Sequence, residues 1–230
     1  MTPPRFGDAV SRQHRRISRE DWRDVYVIGD VHGCRETLDA LLAELGSDER
    51  DLHVFVGDLV TRGPDSAGVV DVVREAPNML SVRGNNEQKV LDGTADTPDL
   101  DDCHRQWLAS LPVALSWDDV LVVHGGIDPR KPLASHVPQD LMETGSLAGS
   151  GEGRPYWWEL YNGPHRVCFG HRVFSSALIG EHAIGLDTGC VYGNRLTAFD
   201  CSRDRTVSVE SEGCFRERDP SDFIDPSSFA

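Results

Sequence analysis

Five short segments could carry chemistry: Gly29-Asp30-Val31-His32-Gly33, Gly57-Asp58-Leu59-Val60-Thr61-Arg62-Gly63, Arg83-Gly84-Asn85-Asn86-Glu87, His124-Gly125-Gly126 and Gly170-His171. Each sets a metal-binding oxygen or nitrogen beside glycine, mostly just after an apolar run. Together Asp30, His32, Asp58, Asn85, His124 and His171 offer three imidazoles, two carboxylates and a carboxamide. That is enough for two divalent cations sharing one carboxylate, an arrangement suited to hydrolysing phosphate esters. Nitrogen and oxygen donors without thiolate suit manganese, iron or zinc better than calcium. Asp30 and His32 are two residues apart, so on an extended strand exit they point the same way. Asp58, at the end of the next apolar run, could bridge both cations. The neighbouring glycines let the backbone turn tightly beside the ions.

The elements that must position these groups alternate along the chain. Residues 24–29, 52–56 and 80–82 read as short buried strands, each ending at a motif. Leu38, Leu41, Leu42 and Leu45 recur at helical spacing and stop at Gly46. A helix over 65–75 opens at Asp65 or Ser66 and closes before Pro77. Residues 87–91 and 101–110 read as helices, and 113–117 with 120–123 as a hairpin whose second arm delivers His124. A long Gly-, Ser- and Pro-rich connection spans 127–155, with a short helix at 138–143. Residues 155–161 read as a helix, 167–169 as a strand ending at His171, and 183–209 as strands with turns. The pattern predicts an α/β layered fold, mixed sheets flanked by helices, with the site at the carboxyl ends of strands.

Bulk properties narrow the class. The 230 residues fit one domain with a sizeable core. We expect a loosely held, Arg-rich arm over 1–22, the domain proper over 23–210, and a tail over 211–230; both end segments are expected to contribute little to catalysis. No apolar run reaches membrane-spanning length, and the start lacks a signal-peptide core, which predicts a cytoplasmic protein. The six cysteines are scattered and read as free, mostly buried thiols. A net charge of −15, with lysine only at Lys89 and Lys131, argues against nucleic-acid or membrane partners.

The order and spacing of the motifs resemble the phosphoprotein-phosphatase branch of the calcineurin-like metallophosphoesterases. The segment from Gly57 to Ser66 is most similar to bacterial and archaeal Ser/Thr phosphatases and symmetrical diadenosine tetraphosphatases. The segment from Leu186 to Ala198 resembles the late signature of the same group. The resemblance runs from about Val25 to Phe199. It implies a two-metal phosphatase with Asp30, His32 and Asp58 on one ion and Asp58, Asn85, His124 and His171 on the other. It implies two divalent ions, manganese before iron or zinc, and hydrolysis by metal-activated water. It implies that Arg62 grips phosphate oxygens of a small molecule, nucleotide or phosphoprotein. The family's second phosphate-gripping arginine has no clear counterpart; Arg154 is the candidate by position, with Arg172 and Arg83 as rivals and salt bridging as the plainer role.

Two departures from the family pattern touch one device. Where the resemblance places a histidine that protonates the leaving oxygen, this chain has Asn86. Where an aspartate would orient that histidine, it has Thr61. An amide is no proton donor at physiological pH, and a general acid is typically worth about 10²–10⁴-fold. The sequence therefore predicts a phosphomonoester or phosphoanhydride hydrolase that favours good leaving groups. The alternative is a binding or regulatory protein on the same fold with weak or no turnover.

Overall fold

Strand residues at 25–28 and 52–55 are buried at every position because both faces of their sheet are covered. The computed structural model describes residues 3–149 and 153–229. Its strands are β1 (His14–Arg16), β2 (Val25–Ile28), β3 (Leu52–Phe55), β4 (Met79–Ser81), β5 (Ala114–Trp117), β6 (Val120–Val122), β7 (Arg166–Phe169), β8 (Leu178–Ile179), β9 (Ala183–Gly185), β10 (Arg195–Asp200) and β11 (Arg205–Glu210). They form two sheets. One has the order β11-β10-β2-β3-β4, with β2, β3 and β4 parallel. The other has the order β1-β5-β6-β7-β9-β8, with β6, β7 and β9 parallel.

Side-chain alternation builds the layers. Val25, Val27, Val54 and Val56 pack against Leu115, Val122, Cys168 and Ile184, filling the space between the sheets. Their neighbours Ile28 and Phe55 point the other way, onto Leu38 and Leu41 of the helix Arg35–Leu45 and Val69, Val70 and Val73 of the helix Ser66–Glu75. On the far side, Leu121, Val167 and Phe169 meet Leu141, Met142, Trp157 and Trp158. The result is the mixed-sheet, helix-flanked layering expected. The caps match too: Asp65 accepts from the Gly68 N–H at 2.8 Å, and Gly46 ends its helix in the left-handed region at φ 56°. Among the described residues no helix is long and apolar enough to cross a membrane.

The N-terminal arm departs from expectation, whereas the C-terminal tail packs along the surface as its composition suggested. Residues 1–2 and 230 lie outside the described residues. Within the supposed arm, β1 pairs with β5 and Val10 is fully buried in the second core. Strand pairing, rather than any apolar pattern in His14-Arg15-Arg16, fixes this segment. The tail is also docked. Phe215 N–H donates to Val191 O and Ile224 N–H to Val173 O, each at 2.9 Å. The cysteines are free, with Cys34, Cys168 and Cys190 buried.

Candidate metal centre

The carboxyl ends of β2, β3, β4, β6 and β7 meet. The loop after β2 carries Asp30 and His32, and that after β3 carries Asp58 and Arg62. The helix Asn85–Leu91 opens directly after β4 with Asn85 and Asn86. His124 follows β6 and His171 follows β7. Loop backbones are tied together: His32 N–H donates to Asp58 O at 2.9 Å, and Gly170 N–H to His124 O at 2.9 Å.

The backbone is strained where the ligating residues sit. His32, Asp58, Thr61, Arg62 and His171 have φ of 50°, 52°, 71°, 69° and 66°. Such conformations cost about 1–3 kcal/mol each and persist only when the surroundings enforce them. Glu87 is one enforcer. Its fully buried carboxylate accepts N–H bonds from Asp58 (2.8 Å), Leu59 (2.7 Å), Val60 (3.3 Å) and Gly84 (2.7 Å). Glycine is another requirement: a Cβ at Gly170 would lie 1.9 Å from Asp30 Oδ1, and one at Gly84 2.3 Å from Asp58 Oδ1.

Donor atoms converge at these strand ends. Asp30, His32 and Asp58 each offer an atom within 4.8 Å of the others. Asn85 Oδ1 lies 2.8 Å from His124 Nε2 and 3.0 Å from His171 Nδ1. Asp58 Oδ1 is 3.3 Å from His124 Nε2, and its Oδ2 is 3.6 Å from His32 Nε2. Backbone carbonyls hold the other ring nitrogens: His32 Nδ1 is 3.1 Å from Val60 O, and His124 Nδ1 is 2.9 Å from Val56 O. These contacts turn each Nε2 toward the cluster, the orienting role outer-shell partners play for metal ligands. Asp30 Oδ1 is buried and has no hydrogen-bond partner among the described residues. An orphaned carboxylate oxygen is costly unless a cation meets it.

Electrostatics point the same way. Burial, then the nearby Asp187, pushes the Asp30 carboxyl well above the usual range. Burial acts to lower His124, but Asp58, Asp30 and Glu87 outweigh it and raise the imidazole to about 10. Burial lowers His32 to about 4 and His171 to about 3. The clustered carboxylates thus hold a proton on His124, where a divalent cation could replace it.

Arg62 and Asn86 both reach the cluster. Arg62 Nη1 is 3.0 Å from His32 Nε2 and 2.8 Å from the Tyr192 hydroxyl. Asn86 sits on Asp58, and the Thr61 hydroxyl is buried with no hydrogen-bond partner among the described residues. Arg154 does not reach it. Its guanidinium pairs with Glu159 and lies 4.9 Å from the Phe229 ring, beside a groove lined by Tyr161 and His182. Spacing between His124 and His171 suggested Arg154, but the nearby carboxylate claims it. Arg83 is likewise occupied, donating to the carbonyls of Ala109 and Leu111. Arg172 lines a cleft beside His171. The residue types alone did not reveal the clamp Glu87 or the Arg62 partner Tyr192. Their one visible signal was position inside the third and last motif segments.

A family model described as calcineurin-like phosphoesterase matches residues 24–177, spanning β2 to the loop beyond His171. The chain belongs to the calcineurin-like phosphoesterases. It is 32% identical to the asymmetrical bis(5'-nucleosyl)-tetraphosphatase PrpE of Bacillus velezensis, over 80% of this chain and 92% of that one. Serine/threonine-protein phosphatase 1 of Salmonella typhimurium is 47% identical, but over 36% of this chain and 39% of its own length. A crystal structure ascribed to a diadenosine tetraphosphatase superposes with a TM-score of 0.78 at 29% identity, covering 87% of this chain and 99% of that one. This member of the calcineurin-like phosphoesterases is a metal-dependent phosphatase acting on phosphate esters or anhydrides. The family implies a dinuclear divalent-metal site. A metal-binding protein with little turnover on the same fold is not favoured.

Proposed function

We propose that the chain hydrolyses phosphoanhydrides of the dinucleoside polyphosphate type, with manganese, in the cytoplasm, and acts poorly on serine phosphate. The observation that carries this reading is the Asn86 side chain: it faces the carboxylate of Asp58 and supplies no proton to a departing oxygen. Loss of a nucleotide from an anhydride leaves a phosphate anion stable near neutral pH. Loss of serine leaves an alkoxide, which needs an acid. The tetraphosphatase relatives, matched over nearly their whole length, support the same choice over the partial protein-phosphatase match.

In this reading Asp30, His32 and Asp58 hold one cation, and Asp58, Asn85, His124 and His171 hold the other. When bound, such ions polarise phosphoryl oxygens and lower the pKa of water. The chain supplies the rest. Val60 O and Val56 O orient His32 and His124, and Glu87 fixes the loop bearing Asp58. Arg62, held by the Tyr192 hydroxyl, can donate paired hydrogen bonds to a phosphoryl group. The mixed N/O donors are compatible with manganese, and the charge of −15 favours neither nucleic acid nor membrane as partner.

The test is kcat/KM with manganese for a dinucleoside tetraphosphate, p-nitrophenyl phosphate and a phosphoserine peptide. The first two should exceed the third by about 10² or more. A phosphoserine peptide cleaved as well as the tetraphosphate would overturn the assignment.

A further inference from the structure

Arg218 belongs to the C-terminal segment, yet it packs on the same tyrosine that holds Arg62. Its guanidinium carbon lies 5.2 Å from the Tyr192 ring centre and 5.8 Å from that of Phe223. Its Nη2 donates to Asp222 O at 3.1 Å, while its Nε is buried without a hydrogen-bond partner among the described residues. On the same ring, Arg62 lies 6.0 Å from the centre and meets the hydroxyl. Several arginines here are claimed by acids, as Arg23, Arg154, Arg166 and Arg203 show. Among the described residues neither Arg62 nor Arg218 has a carboxylate within ion-pair distance. In a chain with 38 acidic and 23 basic residues, two such cations on one ring call for an anion.

The space for one adjoins Arg218. A cleft of about 610 Å³ is lined by the candidate ligand His171, by Arg172 and Val173, and by Arg218, Asp222 and Phe223. That volume suits a nucleotide-sized group. The anchors Phe215 to Val191 and Ile224 to Val173 suspend Arg218 between the loop bearing Tyr192 and the loop after His171.

We propose that Arg218, with Arg172 on the same cleft, binds the phosphates beyond the one attacked, making the C-terminal segment a selector of polyphosphate chains over simple monoesters. This rests on the phosphoanhydride reading above. Guanidinium groups match phosphate oxygens in pairs, and the two rings fix the plane of Arg218. A monoester such as p-nitrophenyl phosphate places no second phosphate there.

Inhibition separates the two ideas. The readout is inorganic tripolyphosphate and inorganic phosphate as competitors of manganese-dependent p-nitrophenyl phosphate hydrolysis, at equal free manganese, for the wild type, Arg218→Ala, Arg218→Met and Arg218→Lys. The Ki for tripolyphosphate should rise about tenfold more than either the KM for p-nitrophenyl phosphate or the Ki for phosphate, the usual worth of a charge-assisted hydrogen bond. Lysine should restore part of the loss. Arg218→Met keeps the stacked stem if alanine unseats the segment. A tripolyphosphate Ki that stays fixed, or that moves only in step with the other two constants, overturns the proposal. Failure of the wild type to cleave a dinucleoside tetraphosphate overturns the substrate reading and leaves this measurement standing.

Discussion

The side-chain amide of Asn86 donates to Oδ2 of Asp58 while its backbone N–H donates to Oδ1 at 2.9 Å. One residue therefore holds both oxygens of the carboxylate best placed to serve two cations. A position that in the family supplies an acid here orients a metal-binding group. This relationship turns a missing histidine into a distinct prediction about chemistry.

Asp58 and Arg62 should separate metal binding from phosphate binding. Asp58→Asn removes the charge facing His32 and His124. It should lower manganese content below two per chain and weaken affinity by more than the roughly 10–100-fold typical of losing an outer-shell partner. Arg62→Ala should leave manganese bound while weakening vanadate inhibition by about tenfold or more. Elemental analysis and vanadate titration distinguish them. Metal lost from Arg62→Ala would show that Arg62 supports the ligands instead.

Glu87 should matter for stability as well as rate. Glu87→Gln keeps the shape but turns an NH₂ group toward N–H donors, stranding at least one buried donor. The cost should be about 1–3 kcal/mol, with a fall in Tm and in manganese affinity. An unchanged Tm would mean that the loop from Asp58 to Val60 is held by other contacts.

How legible was this site? Each ligand follows an apolar run or opens the next helix, so strand ends alone located Asp30, Asp58, His124 and His171. The Arg35–Leu45 helix was readable from leucine spacing and Gly46, and the Ser66–Glu75 helix from its cap and Pro77. β1 was not, because His14-Arg15-Arg16 is a strand only by pairing with β5. Glu87 was given no role, since nothing local reveals three backbone donors from the loop after β3. Arg154 was chosen by its place between two histidines, whereas Arg218 arrives from a segment with no periodicity. Its docking depends on backbone bonds to Val191 and Val173, which no pattern encodes.

Acid should unfold the chain partly through His53. This residue is buried on β3, with Nε2 2.8 Å from Ser47 Oγ and Nδ1 lacking a partner among the described residues. Burial lowers it to about 4. The native state therefore refuses a proton that the unfolded chain accepts near 6.5. Its contribution is complete above that pH and is lost as pH falls from about 6.5 toward 4, by up to about 1.4 kcal/mol per pH unit. Denaturant unfolding of manganese-loaded wild type and His53→Asn across that window should show the shallower dependence in the variant. Parallel curves would mean that His53 is protonated in the native state.

The most direct test of the account is rate against leaving-group pKa, for a series of aryl and alkyl phosphates with manganese. The wild type should give a steep fall, because no side chain protonates the departing oxygen. Asn86→His, and more so Asn86→His with Thr61→Asp, should flatten the slope by speeding the poor leaving groups, within the 10²–10⁴-fold or so that a general acid is worth. A histidine outside the motifs, His165, could only compete for this role from a groove that it lines with Tyr161 and Ile127 and that includes none of the metal-site residues. Equal and shallow slopes for wild type and double variant would show that a working acid already exists, and would contradict the account.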